Sequence, residues 1–119
     1  MIKEITLEWR YFSPMHLEIR EKERYTLSED GTMTYGSYVE GNMTEPKNSE
    51  IMMVSESEKN EIFRITDELA WINEACESYI DDCHGDVRVC YDDGREVVQP
   101  RGSRLYDHLT TVFEKRFDS

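Results

Sequence analysis

IKEITLEWRYF, residues 2–12, decides the fold class. Ile5, Leu7, Trp9 and Tyr11 fall on one side of an extended chain, with Glu4, Thr6, Glu8 and Arg10 on the other. That two-residue period is the mark of a half-buried strand. Ser13-Pro14 ends it, and His16 to Ser28 resumes the alternation with Leu17, Ile19, Tyr25 and Leu27. Glu21 and Glu23 share the apolar side of this second strand, which predicts a bulge or a protruding end there. Asp30-Gly31 is a two-residue hairpin signal, because a type I′ turn needs positive φ at both positions. Thr32 to Val39 returns as a third strand. Gly41 to Ser49, with Pro46, reads as an exposed loop, and Ile51 to Val54 as a short fourth strand.

Beyond these strands the period changes. Ser55-Glu-Ser-Glu58 fits a capping box, in which the serine and the last glutamate satisfy amides that a first helical turn leaves free. Ile62, Ile65, Leu69, Ile72, Cys76, Tyr79, Ile80 and Cys83 then recur at steps of three and four, with Leu69 and Ile72 at the centre of the expected buried side. Gly85 supplies a stop. This stripe outlasts the roughly 8–20 residues of an ordinary globular helix, which leaves room for a kink near Asn73 or Ser78. Asp86 to Asp92, Asp93-Gly94 and Arg95 to Gln99 read as a second hairpin. A closing helix carries Leu105, Leu109, Val112, Phe113 and Phe117. The order is ββββ-α-ββ-α. Tight turns between strands imply an antiparallel sheet with the helices on one face, an α+β domain. At 119 residues the chain has the size of one domain, 1–119, long enough to form a core without staples.

Charge is the most informative part of the composition. The 14 basic and 26 acidic residues give a formal net charge of −12. Residues 50–86 hold 2 basic and 11 acidic residues, −9 of that total, while 1–49 carry −3 and 87–119 balance to zero. Such a field repels nucleic acid and anionic membrane and attracts basic surfaces. The simpler explanation of the acidity is solubility. No signal-peptide run opens the chain, and no apolar stretch approaches the roughly 20 residues of a membrane span, so a cytoplasmic location is expected. Cys76, Cys83 and Cys90 are expected as free thiols. Their number is odd, and seven residues along one helix would set Cys76 and Cys83 about 10 Å apart, too far for a disulfide.

The candidate contact surface lies on the long helix. Asp67, Glu74 and Asp81 align at seven-residue spacing with Glu77 beside them, away from the apolar stripe, and Lys59 and Arg64 are the only basic residues nearby. A row of like charges destabilises its own helix by a few tenths of a kcal/mol per pair, a cost that a cationic partner would offset. Phe63 and Trp71 also stand off the stripe, and aromatics among acids are a common interface composition. The competing explanation is that the sheet, the 41–49 loop or the last helix covers both rings.

Other chemistry is weaker. Cys76, Cys83-His84 and Cys90 lack the close-paired spacing of zinc ligands. Ser103, Asp107 and His108 are near in sequence, but Ser103 sits where a helix N-cap is needed. No GxSxG, HExxH or glycine-rich phosphate loop occurs. Arg101, Ser103 and Arg104 form a weak anion-site candidate at a helix start, against an ordinary capped helix. No cofactor, metal or catalytic residue is assigned. The leading expectation is a non-enzymatic acidic domain that presents Phe63, Asp67, Trp71, Glu74, Glu77 and Asp81 to a basic protein, with no direct nucleic acid and no membrane. In its sharpest form the carboxylates stand in for phosphates in a nucleic-acid-binding groove. In size and charge alone the chain is similar to small acidic phage-encoded inhibitors, anti-CRISPR proteins among them, with which it shares no motif. The competing classes are a small enzyme or metal-linked domain using the Cys/His set or Ser103 and His108, and an accessory domain whose acidity serves solubility only.

Overall fold

The computed structural model describes residues 1–12, 19–42, 44–72 and 83–117. Alternation produces six strands and the two helical stripes produce two helices: β1 (Ile2–Phe12), β2 (Ile19–Ser28), β3 (Thr32–Val39), β4 (Asn48–Met53), α1 (Glu56–Ala70), β5 (Cys83–Tyr91), β6 (Glu96–Pro100) and α2 (Arg104–Phe117). The strands form one antiparallel sheet in the order β4-β3-β2-β1-β5-β6. The expected element order therefore holds, and the second hairpin extends the first sheet through β1 rather than standing apart.

Register explains why one face is covered. Ile5 lies opposite Leu27 on β2 and Val89 on β5, and Leu7 lies opposite Tyr25 and Val87. With Met33 they make an apolar floor on which Ile62, Phe63, Leu105, Leu109 and Phe113 pack. The other face is polar. Glu8 accepts from Arg10 (2.7 Å) and Arg24 (2.8 Å), and Arg10 also reaches Asp86 at 3.0 Å. Burial works to raise the Glu8 carboxyl pKa, but the two guanidiniums bonded to it hold it below its ordinary value.

The expected irregularity at the β1–β2 end is present. Tyr11 pairs with Glu21 and Phe12 with Ile19, so Arg20 is the extra residue of a bulge. The hairpin loops are longer than the two-residue turns expected from Asp-Gly. Three residues separate β2 from β3, and four separate β5 from β6. Gly31 and Gly94 take positive φ, +89° and +90°, and the preceding aspartates fold their side chains onto the amides of Thr32 and Arg95.

The long helix is the main correction. α1 stops at Ala70, and Cys83 and Gly85 belong to β5, where they pair with Tyr11 and Trp9. Gly85 is needed for close packing. A Cβ there would lie 2.5 Å from the Tyr106 hydroxyl and 3.0 Å from its ring. The end of the helix is held by Gln99 of β6, which donates its side-chain amide to the carbonyls of Leu69 (3.2 Å), Ala70 (2.8 Å) and Ile72 (3.4 Å), the kind of group a helix end leaves short of donors. The Ile72 amide also reaches the Leu69 carbonyl at 3.2 Å. Ile72 is thus exposed and Leu69 only partly buried. The buried side of α1 is turned toward Lys59, Ile62, Phe63, Thr66 and Ala70, where Thr66 and Ala70 are small enough for close approach. Cys83 does not share a helix with Cys76, which lies outside the described residues, and Cys90 is a free thiol. Among the described residues no helix is long and apolar enough to cross a membrane.

Candidate binding surface along the first helix

Helix α1 begins at Ser55, whose hydroxyl accepts from the Glu58 amide at 3.2 Å. The second half of the expected capping box is diverted, because the Glu58 carboxylate takes Arg116 of α2 at 2.8 Å. Lys59 is 9% exposed and is spent internally: its ammonium donates to the Glu29 carbonyl (2.8 Å) and to Glu56 (3.2 Å). Arg64 binds both Glu61 (2.6 Å) and Glu68 (3.0 Å). Every described carboxylate of α1 therefore has a donor within the chain. The row expected from the sequence continues through Glu74, Glu77 and Asp81, which lie outside the described residues.

Two residues of the expected surface come together at the end of α1, and a third does not. Asp67 and Trp71 stand four apart, one helical turn, and the indole N–H donates to the Asp67 carboxylate at 3.3 Å. Tyr91, at the end of β5, donates its hydroxyl to the same oxygen at 2.7 Å. Burial first, then the Asp67 hydrogen bond and charge, push the Tyr91 pKa up to about 12, so the phenol keeps its proton at neutral pH. The Trp71 and Tyr91 rings lie 5.7 Å apart at 38°. Arg95, from the β5–β6 loop, stacks over both at 5.3 and 5.0 Å and is held by Asp93 at 2.6 Å. Trp71 is nevertheless 53% exposed. Phe63, by contrast, is 8% exposed and part of the core, so its ring is covered. Beside the cluster a groove of about 710 Å³ runs between α1 and the sheet end, lined by Phe63, Asn60, Asp67, Tyr91 and Arg95 among others.

Comparison with protein-family models and with curated proteins finds no match. The geometry has to carry the functional reading.

The remaining candidates separate cleanly. Ser103 is fully buried and its hydroxyl accepts from the Tyr106 amide at 3.1 Å, so it caps α2; Arg101 and Arg104 flank that cap. Among the described residues no group of three or more His, Cys, Asp or Glu is placed to hold a metal ion. Sequence reasoning missed Tyr91 and Arg95. Tyr91 shares the strand parity of Val87 and Val89 and so could have been assigned to the helix-covered side. Arg95 carries no such signal, because only the loop geometry brings it over the rings.

Proposed function

We propose that the protein is a non-enzymatic binding domain for a basic protein, and that the contact centres on Trp71. One observation carries this reading: a large indole, half exposed, is fixed in place by Asp67, Tyr91 and Arg95 rather than left loose. Exposed tryptophan is costly, and Trp, Tyr and Arg are the residues most enriched where single side chains dominate binding. A ring already ordered loses little freedom on binding, which favours affinity. The charge of the chain favours a basic partner through faster encounter and rejection of acidic surfaces. Nucleic-acid mimicry is the sharper form of the same reading, in which the partner's groove normally holds phosphates.

The test is retention of proteins from lysate by wild type and by Trp71→Ala, at low and high salt. A basic protein held by wild type should be released at high salt. It should bind Trp71→Ala more weakly by about 2 kcal/mol or more, roughly thirtyfold. Displacement by added nucleic acid would support mimicry. Equal retention by both proteins would remove Trp71 from the contact and end this reading.

A further inference from the structure

The two edges of the sheet are unlike. At β6 the Tyr91 amide donates to the Arg95 carbonyl and the Arg101 amide to the Gly85 carbonyl, both at 2.9 Å. Backbone groups alternate sides along a strand, so Val97 and Gln99 turn theirs toward β5, while Glu96, Val98 and Pro100 turn theirs outward. Pro100 has no N–H and Glu96 carries a charge, and both discourage a further strand. At β4 the Val54 amide donates to the Gly31 carbonyl at 3.0 Å. By the same alternation Glu50 and Met52 turn their backbone toward β3, and Ser49, Ile51 and Met53 present theirs outward. Among the described residues no strand pairs with that side. The side chains agree with the backbone. Ile51 is 75% and Met53 65% exposed, opposite Thr34 and Thr32 on the face of the sheet away from the helices. No proline or basic residue interrupts Asn48–Met53, and residues 46–55 balance Lys47 against Glu50 in a chain of net charge −12.

We propose that β4 pairs with β4 of a second copy of this chain, antiparallel about a twofold axis at Ile51, joining the two sheets into one. Ser49, Ile51 and Met53 each donate an amide across the axis, and their carbonyls accept in return. In that register Ile51 meets Ile51 of the second copy, with Met53 diagonal to it, so the exposed apolar side chains cover one another. Glu50 falls opposite Met52 of the second copy. Moving the axis to Glu50 would set glutamate directly against glutamate, which is unfavourable. The partner's chemistry follows from charge: two chains this acidic repel each other, and the neutral edge is where that repulsion is least. A twofold contact uses the same edge on both copies, and the blunted β6 edges stop growth at two. β4 lies at the opposite end of the strand order from β5 and β6, so the pairing is independent of the Trp71 cluster.

Sedimentation equilibrium of the full chain over a concentration series, with amide exchange read residue by residue at each end of the series, tests the proposal. Wild type should pass from monomer to dimer, and the Ser49, Ile51 and Met53 amides should slow with it while Glu96 and Val98 do not. Ile51→Lys sets lysine against lysine at the axis and should weaken the dimer about tenfold or more. The same change makes the chain less acidic, which by net charge alone would favour association. Val98→Lys makes an equal change of charge at an exposed position of the other edge and should leave the dimer intact, as should Trp71→Ala. Circular dichroism of both lysine variants checks that the fold survives. A monomer at every concentration, a dimer that withstands Ile51→Lys, or equal weakening by Val98→Lys overturns the pairing. Slowing of the β4 amides only on addition of a different protein would give the edge to that protein and overturn self-pairing as well.

Discussion

The two helices are nearly equal in length, 15 and 14 residues, and both advertise an apolar stripe, yet they are held in different ways. α2 is fixed from within its own sequence. Leu105, Leu109 and Phe113 are completely buried, Ser103 caps the first turn, and Lys115 and Arg116 sit in the last turn, where cations complement the helix dipole. α1 buries a lysine and a threonine beside its apolar residues, has no basic residue in its last turn, and ends on Gln99 of another strand. The same periodic signal thus locates a helix in both cases but bounds it only where the stop is local. The functional surface proposed here lies at the end that is bounded from outside.

The largest effect expected from this contrast is in α2. Phe113 is fully buried and stacks on Tyr25 at 5.2 Å. Phe113→Ala should cost about 3–5 kcal/mol in denaturant unfolding, the usual range for removing a core ring. A loss under about 1 kcal/mol would mean that α2 is not the anchored helix. Next comes the external stop of α1. Gln99→Ala removes the donor shared by three carbonyls, of which the bond to Ala70 is the buried one and Leu69 keeps the Ile72 amide, at a cost of about 1–3 kcal/mol. Amide exchange should then speed up in the last turn of α1 while α2 stays protected. Uniform acceleration across both helices would show that Gln99 supports the whole core and not this helix end.

These differences also explain what the sequence could reveal. The strands were legible because Ile5, Leu7, Trp9 and their partners alternate with charges, and because Asp30-Gly31 and Asp93-Gly94 mark the turns. Helix α2 was legible because its cap and stripe are adjacent. The end of α1 was not: Gln99 lies about thirty residues from the carbonyls it caps, and Cys83 happens to continue the helical spacing while pairing with Tyr11 in the sheet. The site divides along the same line. Asp67 and Trp71 meet through helical spacing alone, but Tyr91 and Arg95 reach them only after the hairpin joins β1. Phe63 is misplaced by a stripe centred on Leu69 and Ile72, whereas the core takes the neighbouring face with Phe63 and Thr66.

A smaller effect tests the local stop at the other helix. Ser103→Ala removes the acceptor of the Tyr106 amide and should cost about 1 kcal/mol, within the roughly 0.5–2 kcal/mol range of lost N-caps. Ser103→Asp could restore a cap in an exposed position, but here the side chain is completely buried. Asp should therefore be no better than Ala, and full recovery by Asp would argue that the N-terminus of α2 is open to solvent.

The smallest effect is a dependence on pH carried by His108 of α2. Burial pushes its imidazole pKa below the ordinary 6.5, and the ring Nε2 is buried without a hydrogen-bond partner. The neutral ring is therefore favoured in the folded protein relative to the unfolded chain. Above pH 6.5 both states hold a neutral ring and His108 contributes no slope. As pH falls through 6.5 the unfolded chain takes up its proton first, so stability drops until the folded-state pKa is passed, and then levels off. Carboxylates add their own slope at lower pH, so the informative quantity is the difference between wild type and His108→Gln. Between pH 7.5 and 5 the unfolding free energy of wild type should fall relative to that of His108→Gln as acid is added, because only wild type loses stability through His108. The change should be modest, since the ring is only partly covered. A rise of wild type relative to His108→Gln toward acid would mean that the charged ring is favoured in the folded state and that a carboxylate, rather than burial, sets its pKa.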